Sequence, residues 1–265
     1  MPIDLTSESV SLGTGPPTRE ELLVYYPPKF TWDHDLGLLK RDRALQQRYN
    51  EWSVGIKQEY GTMVSYLLKH RLQWGKPDTI SVLLSAHREA DLRAYSERQG
   101  VSEDSEVPAP QYFTRDIPSK YISIIQNDWP YSVPVDIEHT LIWTKVPIYH
   151  PGIVDPSIAA RIAQDGIWGF TGLTSPPPSP STLSSCLPAL SEWGVTEDKM
   201  IVSPKGTPEE EVLVEKVGVE VNEFVKRRWN EDEWETAWFV NPPRLQSIPD
   251  LAHIHVFARQ KTTRA

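Results

Sequence analysis

Apolar residues recur at three- and four-residue steps from Leu45 through Tyr49, Trp52, Ile56, Tyr60 and Met63 to Leu67, which predicts one helix face. Gly55 and Gly61 each weaken a helix by about 1 kcal/mol, and the break is expected near Gly61. A second helical pattern runs over 79–97, with Ile80, Leu83, Leu84 and His87 inward and Asp78 as its cap. From Tyr121 the texture changes. YISII (121–125) is a short apolar run, and IEHTLIWTKVPI (137–148) is rich in β-branched and aromatic residues, so it predicts a strand. NDWPYSVPVD (127–136) between them is turn-rich. The stretch 209–229 is helical, with Val214, Val217, Val221 and Phe224 as its buried stripe. Its Glu209, Glu210 and Glu211 at one end and Lys226, Arg227 and Arg228 at the other suit the helix dipole. ETAWFVN (235–241) and AHIHVFAR (252–259) predict two more strands, joined through PPRLQSIPD (242–250).

These elements give an α+β fold, a helical front half followed by an antiparallel sheet with a packed helix. Residues 1–24 are read as a polar, flexible arm and 25–265 as a single domain. Within it, 25–100 is a helical extension, 112–170 and 209–260 form the core, and 171–208 is a Pro/Ser-rich insertion that cannot build regular structure. The YYPPKFTW stretch at 25–32 is expected to be extended, because residues before proline avoid the helical region. The mixed-charge run DLGLLKRDR (35–43) is read as a solvated face.

Charge narrows the function. The 265 residues carry a net charge of −9, which argues against non-specific binding to nucleic acid or to an anionic membrane surface. No apolar run approaches the roughly 20 residues that span a bilayer, and the first residues have neither a basic start nor an apolar stretch. A cytoplasmic protein acting on a small molecule is expected, and a homodimer is compatible. The single Cys186 excludes an internal disulfide and a Cys-rich zinc module. Ten Trp and 24 Pro predict aromatic anchors and rigid turns.

His253 and His255 alternate along the last predicted strand. With Phe257 they share one face, and Ile254, Val256 and Ala258 share the other. Paired imidazoles on one face suit nucleophilic or acid–base work. Asn241, Arg244, Gln246 and Ser247 place amide, guanidinium and hydroxyl donors in a proline-stiffened turn, which is suited to an anion. The same donors can instead satisfy one another locally. His139 lies on the strand expected beside His253, and the pattern leaves open whether Glu138 or His139 points inward. Trp129 and Tyr131 sit with Asn127 and Asp128 in a polar-aromatic corner that either walls a ligand or caps the core. No cofactor is predicted. A divalent metal is conceivable only on His139, His253 and His255.

NPPRLQSIPDLAHIHVFAR resembles the C-terminal signature of the histidine triad (HIT) superfamily. That resemblance implies a HIT-like antiparallel sheet with a packed helix. It implies a middle histidine, here His253, that attacks phosphorus, with His255 as the third histidine. Gln246 and Ser247 then contact phosphate, and Asn241 orients the site. The first histidine of the triad is absent, Asp250-Leu251-Ala252 standing in its place. Over nearly the whole chain, phrases such as YLLKHRLQWG, NDWPYSVPVDIEHTLIW and WETAWFVNPPRLQSIPDLAHIHVFAR resemble the fungal N-acetylglucosamine-induced protein family.

Four readings follow. The first is a hydrolase or transferase acting on a phosphate-containing, nucleotide-like substrate. The second is a scaffold repurposed for cyclisation, elimination, isomerisation or decarboxylation in specialised metabolism. The third is metal-dependent chemistry, and the fourth a sugar-induced regulatory protein without catalysis.

Overall fold

The computed structural model describes residues 15–17, 21–22, 41–76, 109–131, 133, 136–174, 203–204, 206–246, 248 and 251–261, with only the backbone of Arg244. The helix expected at 79–97, the 25–32 stretch, Cys186, and most of the 1–24 arm and of the 171–208 segment lie outside those residues.

Helix α1 (Arg43–Tyr60) starts where the Asp42 carboxylate accepts the Ala44 and Leu45 N–H groups, two donors that a helix start leaves unpaired. It stops at Gly61, whose φ of 78° lies in the left-handed region that favours glycine. The break therefore falls where the sequence places it. The Thr62 hydroxyl caps the short helix α2 (Met63–Tyr66), which runs on into a π-helical turn, Leu67–Arg71.

Five antiparallel strands form one sheet: β1 (Ile122–Gln126), β2 (Ile137–Thr144), β3 (Ile167–Thr171), β4 (Trp234–Val240) and β5 (His253–Gln260). Their order across the sheet is β1-β2-β5-β4-β3, so the last strand is central. Helix α3 (Ala159–Asp165) lies between β2 and β3, and α4 (Pro208–Arg228) between β3 and β4. A capping box of Thr207 and Glu210 starts α4. Its predicted stripe Val214, Val217, Val221 and Phe224 is buried, against a sheet face that presents Ile142, Trp238, Ile254, Val256 and Ala258. Trp238 lies between two glycines: a Cβ on Gly169 or on Gly218 would come 2.7 Å from its ring. The Trp238 indole N–H donates to Asn222 Oδ1 at 3.0 Å, which satisfies a buried donor.

The opposite sheet face is covered over β1 and β2 by the first helices. Leu67 and Leu72 pack there with Ile125, Leu141, Trp143 and Ile248. All eight residues of β2 are buried as a result, because the strand has a layer on each side.

Two expectations change, and one strand is new. The predicted strand 137–148 ends at Thr144, whose hydroxyl donates to the Val146 carbonyl and accepts the Val146 N–H, turning the chain. Strand β3 has no alternating signature. Gly166 and Gly172 bound it with positive φ and Gly169 interrupts it, so its pairing with β4 is what makes it a strand. The insertion begins later than residue 171: Gly172 N–H donates to Glu231 and Thr174 N–H to Glu235, holding both against the sheet.

Candidate histidine site

The register of β5 builds the site. His255 stands opposite Leu141 on β2 and Phe239 on β4, His253 opposite Trp143, and Phe257 opposite His139 and Ala237. The shared-face expectation holds: the His253 and His255 rings are 5.0 Å apart between centroids, and Ile254, Val256 and Ala258 enter the α4 core. The parity of β2 is also resolved. His139 points into the site, where its ring lies 4.2 Å from Phe257 and 5.2 Å from His255. All three imidazoles are buried.

The hydrogen bonds fix which nitrogen carries each proton. Tyr131 N–H donates to His139 Nδ1 at 3.1 Å. A backbone N–H can only donate, so His139 Nδ1 is bare and its proton sits on Nε2. His139 Nε2 lies 2.9 Å from His255 Nδ1, which makes the first the donor and the second the acceptor. The His255 proton is then on Nε2, 3.3 Å from the Asn241 amide. A side-chain amide can turn over to present its oxygen, whereas a backbone N–H cannot, so the Tyr131 end sets the direction. The chain ends at Asn241, while the Tyr131 ring stacks on His255 at 5.6 Å. Asn127 supports the entry point: its Oδ1 accepts Trp129 N–H at 3.0 Å, which turns its NH2 toward the His139 ring.

His253 stands outside this loop. Its Nδ1 lies 3.0 Å from the Leu251 carbonyl, which can only accept. Nδ1 therefore carries the proton, and Nε2 holds the basic lone pair. The ring packs on Trp143 at 4.3 Å.

Burial pushes all three histidines below their ordinary range, His139 and His255 strongly and His253 less so. For His139 the Arg41 guanidinium adds to the effect, and for His255 the neighbouring imidazoles and then Arg41 do so. The Leu251 carbonyl opposes it at His253, because it favours the protonated ring. The site is thus a cluster of neutral bases walled by rings. Phe239 stacks on His255 at 4.6 Å and Tyr131 at 5.6 Å. Burial also raises the Tyr131 phenol.

The other expected site residues divide. Asn241 and Tyr131 join the histidines. Gln246 donates its amide to the Asn241 carbonyl at 3.1 Å, the local satisfaction that its turn allowed. Ser247 and the side chain of Arg244 lie outside the described residues. Trp129 packs into a corner with Leu45, Tyr49 and Trp52. Arg41, assigned from the sequence to a solvated face, is half-buried: its Nε donates to the Trp129 carbonyl at 2.8 Å. Nothing in its mixed-charge run marks it. Phe239 was legible in principle from the parity of ETAWFVN, but only once the β4–β5 register was known. Among the described residues no group of three or more His, Cys, Asp or Glu side chains is arranged to hold a metal ion. His139 and His255 spend a nitrogen each on the other.

Fold and site together define an α+β protein with a buried histidine cluster on the central strand of an antiparallel sheet. The family model described as "Protein of unknown function (DUF3605)" matches residues 29–160 and 200–259, more than half of the chain, and the chain belongs to that family. No curated protein and no solved structure matches it. No described helix is long and apolar enough to cross a membrane.

Proposed function

We propose that the protein is an enzyme in which His253 attacks phosphorus, a hydrolase or transferase acting on a phosphate-containing, nucleotide-like substrate. The observation that carries this reading is the Leu251 carbonyl 3.0 Å from His253 Nδ1. That bond orients the ring, and burial keeps it neutral. The Nε2 lone pair forms a bond to phosphorus, the bond from phosphorus to the leaving oxygen breaks, and that oxygen takes up a proton. Water, or a second acceptor in a transferase, then displaces the histidine from phosphorus and frees it.

His255 serves beside it. Its Nε2–H contact to Asn241, at 3.3 Å, is the loosest link of the chain, and a phosphoryl oxygen can replace it. This reading assigns substrate contacts to Asn241 and Gln246 and, from the sequence alone, to Arg244 and Ser247. The His-x-His phrase, the Asn and Gln-Ser before it, and an antiparallel sheet with α4 packed on one face support a HIT-like ancestry. The family match is consistent with the fungal N-acetylglucosamine-induced family, and a cytoplasmic setting fits both.

The test is intact-mass measurement after incubation with nucleoside phosphoramidates, nucleoside diphosphate sugars and dinucleoside polyphosphates. A nucleotidyl adduct on the wild-type chain, absent from His253→Asn, supports the reading. No adduct and no turnover with any of them overturns it.

One observation favours a second reading. Gln246 is spent on the Asn241 carbonyl, and the histidines face aromatic rings: Trp143 lies 4.3 Å from His253 and Phe239 4.6 Å from His255. Neutral bases among rings suit proton transfer on an apolar substrate, in a cyclisation, elimination, isomerisation or decarboxylation.

A further inference from the structure

We infer that Arg41 is a positioning residue that sets the direction of the His139–His255 hydrogen-bond chain by holding the turn that feeds it. This deepens the reading above, since the chain runs through His255, whose ring lies 5.0 Å from that of His253, but its test needs no turnover.

The chain has one fixed donor, the Tyr131 N–H, and everything after it is a ring or an amide that can take either sense. Direction therefore depends on keeping that N–H aimed at His139 Nδ1. The segment carrying it is a turn, not part of a strand, and helix or sheet pairing does not hold it there. Two contacts do. Asn127 binds the turn from within, through Trp129 N–H. Arg41 binds it from outside, through the Trp129 carbonyl at 2.8 Å.

The guanidinium is itself held. Its Nη1 donates to Gln46 Oε1 at 2.8 Å, on the first turns of α1. Its carbon lies 4.5 Å from the Tyr49 ring centroid and 5.8 Å from that of Tyr131. A planar cation thus bridges three pieces: helix α1, the backbone of the turn, and the Tyr131 ring, which stacks on His255. Loss of this clamp frees the Tyr131 N–H to swing off, and His139 can then protonate at Nδ1 and reverse every later link.

Nitrogen NMR of the full chain, labelled in its histidines, tests this. In the wild type, Nδ1 of His139 and of His255 should both resonate at the bare, pyridine-like position. Arg41→Met keeps an apolar stem but no donor and no charge. It should shift both Nδ1 signals toward the protonated, pyrrole-like position while far-UV circular dichroism stays unchanged. Arg41→Lys, which retains a charged donor for the Trp129 carbonyl, should restore the wild-type positions. If Arg41→Met does not fold, Arg41→Leu, which also lacks donor and charge, makes the same comparison. A wild-type His139 protonated at Nδ1 overturns the inference, and so does a folded charge-removed variant whose two signals do not move. Neither outcome depends on whether phosphorus chemistry is found.

Discussion

His139 Nε2 lies 2.9 Å from His255 Nδ1 in a buried place, so the two rings hold a single proton between those nitrogens. Protonating His255 puts a second proton into that gap, protonating His139 sets one against the Tyr131 N–H, and either puts a charge into an enclosed aromatic site.

Stability should therefore depend on pH in a definite direction. The histidines are held below their ordinary value in the folded chain. The unfolded chain then binds more protons once the pH falls below about 6.5, and stability is lost as pH falls. Above that value the contribution is fully present. Each histidine adds up to about 1.4 kcal/mol per pH unit to the slope within its window. Urea unfolding at several pH values should show the midpoint falling through this range. A His139→Gln, His255→Gln double variant should give a flatter curve, and an equally steep one would refute the assignment.

His253→Asn should abolish turnover and covalent labelling while keeping most of the fold. Asparagine retains a polar group near the Leu251 carbonyl but gives up the stack on Trp143. Core substitutions of this kind cost on the order of 1–3 kcal/mol, and thermal unfolding reads that cost separately from activity. Full activity in the variant would remove His253 from the chemistry.

The glycines around Trp238 make a packing prediction. Gly218→Val places carbons where the Trp238 ring already lies, 2.7 Å from a Cβ. Overpacking of this kind costs about 1–3 kcal/mol. A lowered Tm is expected, and an unchanged one would mean that α4 can shift outward freely.

Arg71 holds Asp128 through two contacts, Nε to Oδ2 at 2.6 Å and Nη2 to Oδ1 at 2.8 Å, and so ties the π-helical turn to the corner before Tyr131. The pair is partly exposed but bidentate, so a double-mutant cycle of Arg71→Gln and Asp128→Asn should give a coupling of about 1 kcal/mol. A coupling near zero would show that this ion pair does not hold the corner.

Much of this was readable in the chain. Alternation in AHIHVFAR separates His253, His255 and Phe257 from Ile254, Val256 and Ala258, because a strand has only two faces. The valine stripe of α4 was readable for the same kind of reason, at helical spacing. The partners were not. His139 meets His255 across 116 residues, and Arg41 meets Trp129 across 88, and such contacts follow from register and turn geometry that no local period encodes. Strand β3 escaped because its pairing with β4, and not its own composition, makes it extended.

The sheet order also bears on how the chain is made. Strand β5 follows the other four in sequence yet separates β2 from β4. During synthesis β1 and β2 can zip together, and so can β3 and β4, but the two ribbons have no common edge until the fifth arrives between them. Each must wait with one side open, and the imidazoles of β5 are delivered last into a frame whose other parts are already made.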